Sequence, residues 1–182
     1  ADFVLAAPPI NISVRSGEWS QWQLSDGKRN EIYDRSEAWA VSELLNRAEK
    51  KLVVLTSHNW LFSTGQERRL REQLIGDSQC QIESVTTLPA GVLSSTNVQT
   101  AITTFNLVQS KNKIRMTTLV TEDRSASLDD LLIANRNNIL FNEGESKQSR
   151  DFSVEEILEA ESVLLPQRLL RKTTLSSANY IS

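Results

Sequence analysis

Phe3-Val4-Leu5-Ala6-Ala7-Pro8-Pro9-Ile10-Asn11 decides how this chain is read. The run from Asp2 to Ala7 is apolar after its first residue and predicts a short buried strand. Pro8-Pro9 stop it, because proline has no N–H to offer a ladder and a fixed φ. In an open α/β sheet, ligands gather beyond the carboxyl ends of the strands. A double proline at that edge stiffens the turn and turns carbonyls, rather than N–H groups, toward any visitor.

Working outward, Asn11 to Asn30 is a long polar loop carrying Gly17, Trp19, Trp22 and Gly27. Loops of that length are commonly functional or disordered. Ser36 reads as the N-cap of a helix carrying Trp39, Ala40, Leu44 and Leu45. Lys50 to Ser57 predicts a second buried strand. Thr64 or Gly65 opens a charged helix that ends near Gly76. Further strands are expected over 81–88, 100–108 and 114–120, and an amphipathic helix from Ser127 through Leu128, Leu131, Leu132 and Ile133. Glu143 to Arg150 is polar and linker-like. Ser153 then starts a short helix through Ile157, with Glu156 at N3 completing a capping box, and the Ser/Thr-rich end follows Lys172. The expected division is therefore an α/β domain over residues 1–142, with a linker, short helix and tail over 143–182.

Strand and helix alternate in the first half, which requires crossover connections and a mostly parallel sheet with helices on its faces. The strands over 81–88, 100–108 and 114–120 are too closely spaced for helices between them, so at least one pairing is expected to be antiparallel. With 39% hydrophobic and 24% charged residues, the 182-residue chain has the composition of a globular domain. It has no apolar run long enough to cross a bilayer and no secretory signal. Its single cysteine, Cys80, makes no internal disulfide, and a cytoplasmic setting is expected.

One His and one Cys give no metal-ligand spacing, and nothing local pairs His58 with Cys80 as a catalytic dyad. Neither G-x-G-x-x-G nor a Walker-type phosphate loop occurs. Net charge is −3, so any DNA contact must be local. Basic residues cluster at Arg68, Arg69 and Arg71, and again at Arg168, Arg171 and Lys172. Each cluster reads either as a solvated helix face or as a phosphate-contacting element.

The strand ending in Ala7-Pro8-Pro9-Ile10 resembles the Asn-Pro-Pro-Phe motif of amino-group DNA methyltransferases, which N6-adenine enzymes carry at the end of an apolar strand. Lys51 to Phe62 resembles the strand and Pro-Asn-Gly-Val-Leu-Phe stretch of the methylation subunit of type I restriction–modification systems, departing from it at Ser57-His58-Asn59. Arg68 to Ile75 resembles that family's charged helix, and Leu88-Pro89-Ala90-Gly91 its Leu-Pro-x-Gly turn. Ser95 to Ile102 resembles the small-residue turn into the next strand. Phe152-Ser153-Val154-Glu155-Glu156-Ile157 and Leu164-Leu165-Pro166-Gln167-Arg168-Leu169 resemble its closing segments, with Leu169 where a tyrosine is usual.

The resemblance implies a partial doubly wound, Rossmann-like fold and a chemistry in which adenine is flipped out of the duplex. It also implies roles for the motif. The first residue and a proline carbonyl accept hydrogen bonds from the adenine amino group, and the last residue stacks on the base. Ala7 has no side-chain acceptor and Ile10 no ring, so the motif reads as degenerate and the chain as non-catalytic. The family's glycine-rich cofactor motif precedes the proline motif. None lies in this chain, so S-adenosylmethionine is expected only if an upstream half exists. Partners implied are DNA or a restriction–modification subunit, in a homo-oligomer or partner complex. The alternative is a fragment of an active adenine methyltransferase.

Overall fold

The computed structural model describes residues 1–13, 35–76, 82–92, 97–109, 112–120, 127–134 and 148–171. The expectations for Trp19 and Trp22, Cys80, residues 143–147 and the end from Lys172 lie outside them.

Six strands form one sheet: β1 (Phe3–Ala6), β2 (Lys51–Ser57), β3 (Ile82–Thr87), β4 (Thr100–Asn106), β5 (Lys113–Thr118) and β6 (Ser149–Ser153). Their spatial order is β1-β2-β4-β3-β5-β6. Strands β1 and β2 run parallel, joined through α1 (Ser36–Arg47), and β3 and β5 are also parallel. The expected antiparallel strand is β4, which lies between β2 and β3 and opposes both. A second one, β6, pairs antiparallel with β5 at the far edge.

Alternation along each strand separates two faces. Leu52 and Val54 of β2, with Ala101 and Phe105 of β4, lie in the main core together with Ala38, Val41 and Leu45 of α1. That core also takes Leu70, Leu74 and Ile75 from α3 (Gln66–Gly76), and Ile157 from α5 (Val154–Glu159), which packs against α3. A smaller cluster of Leu88, Leu119 and Leu131 packs with Leu55 and Ile102, whose odd–even register puts them on the opposite face. Leu131 belongs to α4 (Leu128–Ala134), whose start Ser127 caps as expected: its hydroxyl accepts from Asp130 N at 3.2 Å. Ile133, expected on the buried stripe of that helix, is exposed instead.

One strand departs from the sequence reading, and two helical stretches lie where it placed no element. Residues 58–62 turn straight from β2 into a short helix, α2 (His58–Phe62). Ser149 and Arg150, read as linker, begin β6, so the stretch following that linker joins the sheet. The expected helix from Ser153 is there with both arms of its capping box, at 3.2 and 2.8 Å. The chain then turns through Glu161 and Ser162, both left-handed with φ of 59° and 58°, into a further helical stretch over 166–171. Leu164 and Leu169 carry this end into the main core.

Among the described residues β1 is an outer strand of the sheet. Phe3 and Leu5 are 68% and 84% exposed, on the face opposite the half-buried Val4 and Ala6.

Candidate functional site: the proline turn

Ala7 to Ile10 leave the carboxyl end of β1, beside the carboxyl end of β2, as the sequence led one to expect. Ala7 and Pro9 are exposed, and Pro8 and Ile10 half-buried. Ala6, Ala7 and Pro8 border an open cavity of about 260 Å³ lined also by Trp39, Ala40, Glu43, Leu44 and Arg47 of α1. One Glu43 oxygen is 3.4 Å from Arg47; the other is buried and unpartnered among the described residues.

Behind the prolines, the turn is fastened by residues that sequence reasoning missed as a site. The Ser36 hydroxyl donates to the Pro9 carbonyl at 2.7 Å. Ser36 was expected to be an N-cap. The helix in fact begins at Ser36, with Arg35 in the cap position and no side-chain cap bond, so the Ser36 hydroxyl is directed at the turn. Glu37, 3% exposed, accepts from Ser57 N at 2.5 Å, from Ser57 Oγ at 3.1 Å and from Asn11 N at 3.3 Å. Asn11 adopts φ 56°, a left-handed conformation that Asn tolerates better than most residues. Its side-chain oxygen accepts from Asn59 Nδ2 at 3.2 Å, and Ser36 N donates to the Ile12 carbonyl at 3.0 Å. A small polar cavity of about 30 Å³ lies against Asn11, Glu37 and Asn59, bounded also by Arg35, Ser63 and Glu67.

The arginine cluster divides. Arg71 is fully buried, and its guanidinium donates from Nε to the Ser162 carbonyl at 2.9 Å, from Nη1 to that of Trp60 at 2.6 Å and from Nη2 to that of Ser63 at 2.6 Å. Burial pulls its pKa down to about 10, which still leaves it charged at neutral pH. Arg71 thus fastens α2 to the turn at Ser162, and its side chain does not reach the surface. Arg68 is half-buried and paired with Glu72 at 2.7 Å and Glu161 at 3.6 Å, while Arg69 is exposed. Arg168, in the second cluster, lies over the Phe62 ring at 5.0 Å.

His58 is buried, with Nε2 3.0 Å from the Thr100 carbonyl. Burial holds it below its ordinary 6.5, against the opposing pull of Thr100 and the Gln99 side chain. Among the described residues there is no cluster of metal-ligating groups and no helix long and apolar enough to cross a membrane.

The model of the N-6 DNA methylase family matches residues 1–178. The chain belongs to the N-6 DNA methylase family. In solved structures the same fold recurs. The type I restriction–modification methyltransferase subunit from Streptococcus thermophilus aligns at TM-score 0.72 and 18% identity, over 91% of this chain and 37% of that one. A modification subunit of a putative type I restriction enzyme from Vibrio vulnificus aligns at 0.67 and 17%, over 86% and 34%. A structure describing complex assembly and conformational transition of the type I restriction–modification system aligns at 0.72 and 15%, over 90% and 36%. The methylase chain thus spans little more than a third of the length of these structures, and at such identities the likeness is one of fold. No curated protein matches it in sequence. The Ala7-Pro8-Pro9-Ile10 turn stands in a methyltransferase-like fold, at the end of an apolar strand.

Proposed function

We propose that this chain is a non-catalytic part of an N6-adenine DNA methylase-like domain, acting by interaction with DNA or with a subunit of a restriction–modification assembly. The observation that carries the reading is the chemistry left at the turn. Ala7 offers no side-chain acceptor for an adenine amino group, and Ile10 offers no ring to stack on the base. Two nearby acceptors each already hold a donor, the Pro9 carbonyl from Ser36 and the Asn11 amide oxygen from Asn59, which leaves each with one lone pair rather than two. An unpaired amino group in a buried site costs about 1–3 kcal/mol, and a missing stacking platform about as much again per base. Together they undo the positioning by which such a site would hold a nitrogen lone pair in line with a methyl donor.

S-adenosylmethionine does not fit the residues of this chain. The sequence has no glycine-rich turn to let a backbone approach it, and the cavity beside Ala7 and Pro8 is walled mainly by apolar side chains. The likeness to a chain solved in a study of type I restriction–modification complex assembly supports a subunit partner, and the cytoplasmic setting that goes with this reading rests on the family alone. The exposed Phe3 and Leu5 at the β1 edge support association, either with a partner subunit or with another copy.

The test is to map N6-methyladenine in the DNA of cells that express the complete protein with its subunits. The reading expects no methylation above that of cells lacking it. Methylation at a defined sequence that depends on this protein would favour the alternative, a fragment of an active adenine methyltransferase.

A further inference from the structure

We propose that Glu37 is the positioning residue of the proline turn. The inference rests on the turn being the place where this fold presents a base, but it does not depend on whether transfer occurs there. A carboxylate 3% exposed needs donors, and Glu37 has three: the Ser57 amide, the Ser57 hydroxyl and the Asn11 amide. These donors come from two different places. Ser57 is the last residue of β2, and Asn11 directly follows Ala7-Pro8-Pro9-Ile10. Glu37 itself sits in the first turn of α1, where the helix dipole favours a negative charge. One side chain therefore ties the exit of β1, the end of β2 and the start of α1 together.

The prolines cannot hold themselves in place by donation, since neither has an N–H. Their position is set by what grips the chain on either side. Upstream, that is the β1–β2 ladder, which ends at the Ala6 and Val54 pair. Downstream, the Asn11 amide donates to Glu37. Ser36, the neighbour of Glu37, holds the Pro9 carbonyl, and Asn59, two residues beyond Ser57, holds the Asn11 side chain. Charged acceptors make stronger bonds than neutral ones. Glu37 is the one charged acceptor among these downstream tethers, and because it also holds Ser57 it sets how far the prolines stand from the end of β2.

The test is amide hydrogen exchange by NMR on the full chain, comparing Glu37→Gln and Glu37→Ala with the parent. Glutamine keeps one acceptor oxygen for the Ser57 amide but replaces the other with an NH₂, which repels the Asn11 N–H. In Glu37→Gln, protection of the Asn11 amide should therefore fall about tenfold or more, while that of Ser57 and of the β3 and β4 amides holds. In Glu37→Ala, both Asn11 and Ser57 should lose protection, and the Ser57 amide proton should move upfield as its short bond to a carboxylate is lost. If Glu37→Ala does not fold, the glutamine variant alone decides. Unchanged Asn11 protection in Glu37→Gln would overturn the proposal, and so would a loss spread evenly over the sheet. The presence or absence of methyl transfer would alter neither result.

Discussion

Replacing Arg71 with methionine keeps much of the side-chain volume and removes every donor. Three main-chain carbonyls, those of Trp60, Ser63 and Ser162, then lose a charge-assisted partner in a place where Arg71 itself is 0% exposed. Each buried acceptor left bare costs about 1–3 kcal/mol. Local relaxation keeps the sum below simple addition, so a loss of about 3–5 kcal/mol is expected, as for breaking a buried charged pair. A domain of this kind holds about 5–15 kcal/mol in total, so this one change removes a large share of it. With a urea slope of about 2 kcal/mol per molar, the unfolding midpoint should fall by about 2 M. Lysine, a single point donor in place of a fork, should give an intermediate loss. The assay is equilibrium urea unfolding followed by tryptophan fluorescence. A midpoint shift under about 0.5 M for the methionine variant would refute the clasp and put Arg71 back among candidate surface contacts.

His58 has its folded pKa lowered below 6.5, so below that pH the unfolded chain binds more protons than the folded one. Stability should therefore hold above about pH 6.5 and fall as pH drops toward the folded value; in His58→Asn the thermal midpoint should lose this pH-dependent component. If the chain binds duplex DNA through Arg69, Arg69→Gln should lower the salt slope of binding by about one, while Arg71→Lys leaves the slope unchanged in titrations at several salt concentrations. Ser153→Ala removes one arm of the capping box and should cost about 1 kcal/mol by thermal or urea unfolding, with the loss carried by the end of the chain that α5 begins.

The strands were legible because their alternation is strong. Leu52 and Val54 point into one side and Val53 and Leu55 to the other, and the helix caps at Ser127 and Ser153 are local signals that the structure keeps. The turn after Ala6 was legible because two prolines cannot continue a ladder. What was not legible came from distant pairing. Ser149-Arg150 is polar and reads as linker, and becomes strand only because Thr117 and Met116 stand opposite it. Arg71 sits in a charged helix beside Arg68 and Arg69, and no local pattern shows that it alone points inward to carbonyls as far away in sequence as Ser162. Glu37 follows a serine at a helix start, where an acidic residue is ordinary; its tie to Asn11 and Ser57 depends on how β1, β2 and α1 meet. Asn59 lies where the match to the family pattern is poorest, and that departure was the one sequence signal that pointed near it.

On the proposed function, Ala7 and Ile10 deprive the proline turn of the acceptor and the ring that would hold adenine. The most direct measurement is transfer of tritiated methyl groups from S-adenosylmethionine to adenine in duplex DNA by the complete protein with its subunits, comparing the parent with an Ala7→Asn, Ile10→Phe double variant. No transfer is expected from the parent; with S-adenosylmethionine held elsewhere in the complete protein, the double variant, which regains the acceptor and the stacking ring, should give measurable transfer. Transfer by the parent at a rate equal to or above that of the double variant would contradict it.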